Sequence, residues 1–209
     1  MIFEIEKEDI LKGLIRQLNS FFSISTIEVD VINSLIEPVL ERCEFNFSKN
    51  NNKYYSKLGE AYFNPYHSGQ YTLFLYYFSN TIFNKKKDFL KLADKIYYLN
   101  RTMNACDLFY EVALPEIFML DHPLGSVMGR AKFGNYFSFS QNCTVGNNND
   151  IFPTIGDHVK MTANTMILGN CKIGNHVILG AGACVKDQDI PANSLVFGSS
   201  PNLIIKSRS

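Results

Sequence analysis

The stretch that decides the fold is IGDHVK-MTANTM-ILGNCK-IGNHVI-LGAGAC, residues 155–184, written in blocks of six. Every block begins with an apolar, mostly aliphatic residue, and the series continues one block further: Ile155, Met161, Ile167, Ile173, Leu179 and Val185. A period of six fits neither a helix of 3.6 residues per turn nor a strand that alternates every two residues. It is typical of a β-solenoid, in which short strands are joined by turns.

Three faces of six residues make one triangular coil, so residues 18 positions apart should stack in adjacent coils. The expected pairs are Ile155 with Ile173, Met161 with Leu179, and Ile167 with Val185. Each buried aliphatic side chain contributes about 1.5–3 kcal/mol. His158 and His176 have the same place in blocks 18 residues apart and are expected to stack as exposed turn residues.

The period extends upstream through Phe133, Phe139 and Val145, which keep the step of six. The next step, to Ile155, is ten residues long. We therefore expect a loop of about four extra residues there, carrying Asn147, Asn148 and Asn149.

The first half of the chain has a helical pattern instead. Apolar residues between Ile5 and Leu18 recur at helical spacing. Further helices are predicted over residues 27–43, 71–83 and 86–103, and Pro38 should bend or interrupt the first of these three. The stretch YTLFLYYF (71–78) is apolar on nearly all sides, so it is either fully buried or part of a contact between subunits.

The change of period divides the chain into a helical domain, residues 1–112, and a solenoid domain, residues 113–209.

The composition of the chain excludes some classes of function. The 20 basic and 20 acidic side chains of the chain give a net charge of zero, which argues against a nucleic-acid partner. It has no apolar run long enough to span a membrane and no secretory signal pattern, which favours a cytoplasmic location. The five cysteines lack metal-ligand spacing and are expected to be reduced.

A hexapeptide repeat behind a helical domain resembles the serine acetyltransferases. The most specific segment is IFMLDHPLGSVMGRAKFGNYFSFSQNCTVG (117–146), which is similar to the catalytic coil of that family. The matching residues are Leu120, Asp121, His122, Gly125, Gly129, Gln141 and Gly146. The resemblance covers roughly residues 60–205 and is specific from 113 onward. It implies an α+β fold, with a helical N-terminal domain followed by a left-handed parallel β-helix.

The resemblance implies that His122 is a general base, which accepts a proton from an acceptor hydroxyl as that oxygen attacks acetyl-CoA. An imidazole suits this role because its ordinary pKa of about 6.5 lies near neutral pH. Asp121 would orient the ring and stabilise the imidazolium. The mechanism needs no metal. Without the matched coil around it, His122 would be read as a turn or core histidine.

The resemblance also implies an acetyl-CoA groove between neighbouring prisms of a homotrimer, and two trimers could pair into a hexamer. Small residues at turns would let the pantetheine arm approach the backbone, although they could equally serve turn geometry alone. The residues that match coenzyme-binding positions are Gly146, Ala163, Ala181, Lys186, Gly198 and Pro201.

The chain departs from the family where the acceptor would bind. The family's Arg-His-Pro stretch, which holds the carboxylate of serine, is Ile151-Phe152-Pro153 here, so a charge-assisted grip is missing. Its Asp-Pro-x-x-Asp loop is Asn64–Ser68 here, without a carboxylate. The acceptor-side candidates are His67, Phe152 and Gln141.

These losses favour a sugar acceptor over a free amino acid. The leading hypothesis is therefore an acetyl-CoA-dependent O-acetyltransferase of a sugar in capsule or lipopolysaccharide, or of its precursor. The alternative is a serine O-acetyltransferase of cysteine biosynthesis with an altered acceptor pocket. A third hypothesis is an inactive oligomeric scaffold.

Overall fold

The computed structural model describes residues 1–208, which divide into two compact units. One unit comprises Met1–Asn104 and Phe109–Glu111, and the other comprises Ala105–Leu108 and the chain from Val112 onward. The first unit is mainly helical and the second is built from short, mostly parallel strands. The predicted fold class is thereby confirmed. Among residues 1–208, no helix combines the length and the apolar character needed to cross a membrane.

Four α-helices form the bulk of the first unit. They are α1 Lys7–Phe21, α2 Thr26–Ser48, α3 Ser68–Lys85 and α4 Leu90–Asn104, with 3-10 turns at Lys53–Tyr55 and Lys87–Phe89. Ser25 begins α2 through a capping box with Glu28. Pro38 lies inside α2 and does not interrupt it. The neighbouring Ile36 and Val39 are buried, and this packing offsets the hydrogen bond that proline cannot donate.

Helix α3 is the core of the helical unit. Every residue from Gly69 to Ile82 is buried. The apolar stretch 71–78 was expected to be either fully buried or part of a contact between subunits. In the structure it is fully buried within the chain. Its rings pack against one another; the Phe74 and Phe78 centroids, for example, are 5.6 Å apart.

A small sheet in the helical unit was not predicted. It contains β1 (Ile2–Phe3), β2 (Ser56–Lys57) and β3 (Glu60–Phe63), with β3 in the centre. β1 is parallel to β3 and β2 is antiparallel to it. Strands of two to four residues are too short to show an alternating pattern, so the sequence carries no signal for them.

The second unit is a β-solenoid. Its strands are β4 Asp107–Leu108, β5 Phe118–Leu120, β6 Val127–Met128, β7 Lys132–Phe133, β8 Phe137–Phe139, β9 Thr144–Gly146, β10 Thr154–Ile155, β11 Lys160–Met161, β12 Met166–Leu168, β13 Lys172–Ile173, β14 Ile178–Leu179, β15 Cys184–Lys186, β16 Ser194–Phe197 and β17 Ile204–Ser207. They form three sheets. Sheet 1 has the order β4-β6-β9-β12-β15, sheet 2 the order β5-β8-β11-β14-β16 with β17 added antiparallel, and sheet 3 the order β7-β10-β13.

The register of these sheets confirms the predicted stacking. Its pairs include Ile155 with Ile173, Met161 with Leu179, and Ile167 with Val185. All six side chains are buried. Their burial in the prism contributes to the apolar core of this unit.

The predicted four-residue loop is also present. Val145 pairs with Ile167, 22 positions later, whereas the next coil pairs residues 18 positions apart. The difference is taken up by residues 147–150, where Asn148 and Ile151 form an isolated bridge that closes the loop. The strands on either side stay in register.

The two turn histidines stack as predicted. The rings of His158 and His176 lie 4.7 Å apart and 9° from parallel, and Tyr136 stacks on His158 at 4.4 Å. All three residues have positive φ, near 56–59°. They occupy the corner between sheets 3 and 2 and are distinct from His122.

Candidate active site

His122 lies at a corner of the solenoid, directly after strand β5. Its φ is 52°, and its carbonyl accepts a hydrogen bond of 2.8 Å from the Leu124 amide. The side chains of His122 and Asp121 are 88% and 66% exposed. His122 Nε2 is 3.9 Å from Asp121 Oδ1, which is ion-pair range but longer than a hydrogen bond. The two groups are neighbours, and both side chains are largely exposed to solvent.

Successive coils bring further predicted site residues to this edge. The Asn142 amide donates to the Leu124 carbonyl at 2.8 Å, and the Asn164 amide donates to the Gln141 carbonyl at 2.9 Å. In the next coil, the Gly182 amide donates to the Ala163 carbonyl at 3.0 Å. We call this edge, between sheets 2 and 1, the His122 corner. It comprises residues 121–125, 141–142, 163–164 and 181–182. The predicted catalytic residues His122 and Asp121 therefore lie along one edge with Gln141, Ala163 and Ala181.

Two asparagines support the His122 corner, and sequence reasoning did not single them out. Asn142 and Asn164 have φ of 55° and 61°, and Asn142 Nδ2 donates to Asn164 Oδ1 at 3.0 Å. Gly125, with φ of 72°, must lack a side chain, because a Cβ there would lie 2.2 Å from Asn142 Oδ1. The sequence signal for these two residues was an asparagine that recurs at the same position in adjacent coils.

Three of the other predicted coenzyme residues, Gly146, Lys186 and Pro201, lie at the far edge of sheet 1. Gly146 pairs with Leu168 and Leu168 pairs with Lys186, so Gly146 and Lys186 are in one row across three strands. Lys186 and Pro201 line an open depression of about 400 Å³. Gly198 lies beside the start of β15, where its carbonyl accepts a 2.9 Å hydrogen bond from the Cys184 amide. The predicted coenzyme residues thus flank both edges of sheet 1.

Phe152 is not beside His122 in the same chain. It follows the loop of residues 147–150 and precedes β10, which places it at the corner between sheets 1 and 3. Ile151 and Phe152 are 48% and 42% exposed, so both present apolar surface. Of the three acceptor-side candidates, only Gln141 belongs to the His122 corner.

His67 is the N-cap of α3 in the helical unit. Its Nδ1 accepts a hydrogen bond of 3.3 Å from the Gln70 amide, and the Tyr54 and Tyr55 rings lie 5.8 and 5.5 Å from its ring. Burial lowers the pKa of the His67 imidazole below its ordinary value. These contacts describe a neutral helix cap, and the acceptor-side role of His67 stays a prediction.

We expect His67 to make the stability of the protein pH-dependent. Because its folded-state pKa is lowered, its stabilising contribution is complete above the unfolded value of about 6.5 and is lost as the pH falls from that value to the lower folded-state pKa. His67→Asn keeps a capping side chain that does not titrate. The loss in urea-unfolding free energy between about pH 7.5 and about pH 5 should therefore be smaller in the variant than in the parent. Equal losses would contradict this account.

Comparisons with known proteins agree with this architecture. The family model "Bacterial transferase hexapeptide (six repeats)" matches residues 152–187. A serine acetyltransferase of Synechococcus elongatus is 30% identical over 115 residues, which is 53% of this chain and 47% of the relative. The chain thus spans about half the length of that curated relative.

Solved structures of serine acetyltransferases have the same fold. The Brucella abortus enzyme aligns with a TM-score of 0.73 at 20% identity, over 97% of this chain and 84% of the other. A serine acetyltransferase in complex with CoA aligns with a TM-score of 0.70 at 18% identity, over 94% of this chain and 83% of the other. The predicted resemblance is confirmed. Within residues 1–208, no three His, Cys, Asp or Glu side chains are grouped as metal ligands.

Proposed function

We propose that this serine acetyltransferase-like chain is an acetyl-CoA-dependent O-acetyltransferase. The observation that carries the proposal is the His122 corner. It aligns a histidine beside a carboxylate with the small-residue turns at Ala163 and Ala181 in the following coils. The hexapeptide match and the likeness to serine acetyltransferases support the same activity.

In the proposed mechanism His122 removes the proton from the acceptor hydroxyl while its oxygen attacks the thioester carbonyl carbon. The new C–O bond forms as the C–S bond breaks, and the imidazolium returns its proton to the CoA thiolate. Asp121, whose Oδ1 is 3.9 Å from His122 Nε2, would stabilise the imidazolium cation. The ester and free CoA are the products.

The coenzyme is proposed to lie along sheet 1, whose two edges carry its predicted contacts. Lys186 would face a phosphate group as a cation. The outer side of this sheet exposes apolar surface at Val127 and Met166. Such surface suits packing against a neighbouring prism, so we propose a homotrimer in which the groove is shared between subunits.

The first candidate acceptor is L-serine, because the curated relative named above is a serine acetyltransferase. This reverses the order expected from the sequence, in which a sugar acceptor came first and serine second. The comparisons lend no support to capsule or lipopolysaccharide synthesis, and they favour the alternative, serine O-acetylation. That hypothesis requires the carboxylate to be held by groups other than Ile151 and Phe152.

A sugar remains the second candidate because of one observation. The exposed apolar pair Ile151 and Phe152 occupies the positions where the family carries Arg and His. In a trimer, the corner that carries this pair could face the His122 corner of a neighbouring chain. An apolar wall suits the ring face of a sugar and gives no charge-assisted bond to a carboxylate.

CoA release from acetyl-CoA, measured with L-serine and with a panel of nucleotide-activated and free sugars, tests the proposal. We expect turnover of L-serine. Turnover of a sugar with none of L-serine would select the second candidate. No turnover of any acceptor by a protein that binds CoA would favour the scaffold hypothesis.

The double change Ile151→Arg and Phe152→His sharpens this test. If serine is the acceptor, a restored charge-assisted grip should lower KM for L-serine about tenfold. The matched variant with alanine at both positions should leave KM within about twofold, because it adds no donor.

A further inference from the structure

A small cleft in the helical unit lies between α1 and the loop that precedes α3. Its volume is about 80 Å³, and its walls include Asp9, Gly13 and Arg16 from α1 with Pro65 and Tyr66 from the loop. The loop is held in place because Asn64 Oδ1 accepts from the Tyr66 amide at 2.9 Å and the Asn64 carbonyl accepts from the His67 amide at 3.0 Å. Pro65 and Tyr66 belong to the Asn64–Ser68 loop, which also carries the acceptor-side candidate His67, whereas Asp9, Gly13 and Arg16 have no part in the proposed acetyl transfer.

Gly13 is unexplained by the chain itself. It lies in the middle of α1, where glycine is destabilising relative to alanine. A Cβ at this position would have no atom within 4 Å among the described residues, and its φ is not positive. Neither close packing nor backbone conformation therefore requires glycine. The space beside Gly13 opens into the cleft, so an occupant of the cleft would account for the missing side chain.

The cleft carries one cation and one anion. Within residues 1–208, the structure gives the exposed Arg16 guanidinium no ion-pair or hydrogen-bond partner. Asp9 has one surface contact, with Lys12 Nζ at 3.3 Å from its Oδ1, a kind of pair that is worth little. The Asp9 carboxylate can therefore accept a further donor.

Asp9, Gly13 and Arg16 share one face of α1, because they are spaced i, i+4 and i+7. The two charged residues are about 10 Å apart along the helix axis, and their side chains can converge over Gly13. We infer that this cleft binds a free amino acid in its zwitterionic form. Arg16 would hold the carboxylate in a two-donor fork, and Asp9 would accept from the ammonium group. The small volume limits the ligand to a short side chain.

L-Alanine is the probe of choice, because it has no hydroxyl and cannot be an O-acetylation acceptor. Hydrogen exchange of the full chain with and without L-alanine should show protection confined to peptides covering residues 5–17 and 64–71. Calorimetric titration should give binding that Arg16→Gln and Asp9→Asn each weaken about tenfold or more. The matched variants Lys91→Gln and Glu8→Gln change exposed charges outside the cleft and should bind L-alanine like the parent.

The size of the site is tested by Gly13→Ala. This change should shift the urea-unfolding midpoint upward and weaken L-alanine binding at the same time. His122→Ala should leave L-alanine binding unchanged, so the inference stands or falls separately from the proposed acetyl transfer. Absence of L-alanine binding, protection at other peptides, or unaltered binding by Arg16→Gln would overturn it.

Discussion

Replacing His122 by alanine is expected to lower kcat for acetyl transfer by about 10²-fold or more, with little change in the KM for acetyl-CoA. The imidazole is the proposed acceptor of the hydroxyl proton, and alanine offers no base in its place. CoA release under saturating acetyl-CoA measures the effect. The change should not unfold the protein, because the side chain is 88% exposed.

His158→Ala is the matched control for this experiment. His158 is also an exposed histidine at positive φ in a solenoid turn, but it lies at the corner between sheets 3 and 2. It should keep kcat within about twofold, as surface substitutions away from a site generally do. Equal activity of the His122→Ala variant and the parent would refute the proposed general base and favour the scaffold hypothesis.

Replacing Ile167 by alanine is expected to lower the free energy of unfolding by about 2–5 kcal/mol. The side chain is completely buried and is stacked between Val145 and Val185 in the adjacent coils. Its removal leaves a cavity that the rigid ladder of strands above and below cannot close. Urea unfolding followed by circular dichroism measures the loss.

Met166→Ala serves as the control in the same strand. Met166 precedes Ile167 in β12, and its side chain points outward and is partly exposed. We expect a loss of well under 1 kcal/mol for a single prism. A loss as large as that of Ile167→Ala, at low protein concentration and at high, would contradict the assignment of the inner and outer faces.

The solenoid was predictable from the sequence down to individual pairs. Stacked aliphatic residues must recur at a fixed step, so the positions of Ile155 and Ile167 define the register without knowledge of tertiary contacts. The helices were predictable less closely: α2 continues to Ser48, five residues beyond its predicted end at Cys43. Tertiary packing decides where a helix ends, and local spacing does not contain that information.

Some residues of the candidate site could likewise be located from the sequence, and others could not. His122 and Gln141 were found because both belong to one short matched segment, and the structure places them at one corner. Phe152 and His67 were chosen by their correspondence to family positions. The corner that Phe152 occupies depends on where the four-residue loop was inserted. The capping bond of His67 depends on the Gln70 amide, which the residue type of His67 does not reveal.

The four-residue loop also bears on how this scaffold can change over evolutionary time. Val145 and Ile167 remain paired across it, so the extra length is absorbed at a corner and is not transmitted to the prism. Corners of this kind can gain or lose residues while the ladder of strands is inherited unaltered. The residues that follow the loop, Ile151 and Phe152, are then free to diverge. The corner loops of such a protein can therefore change in sequence and length while its ladder of strands is conserved.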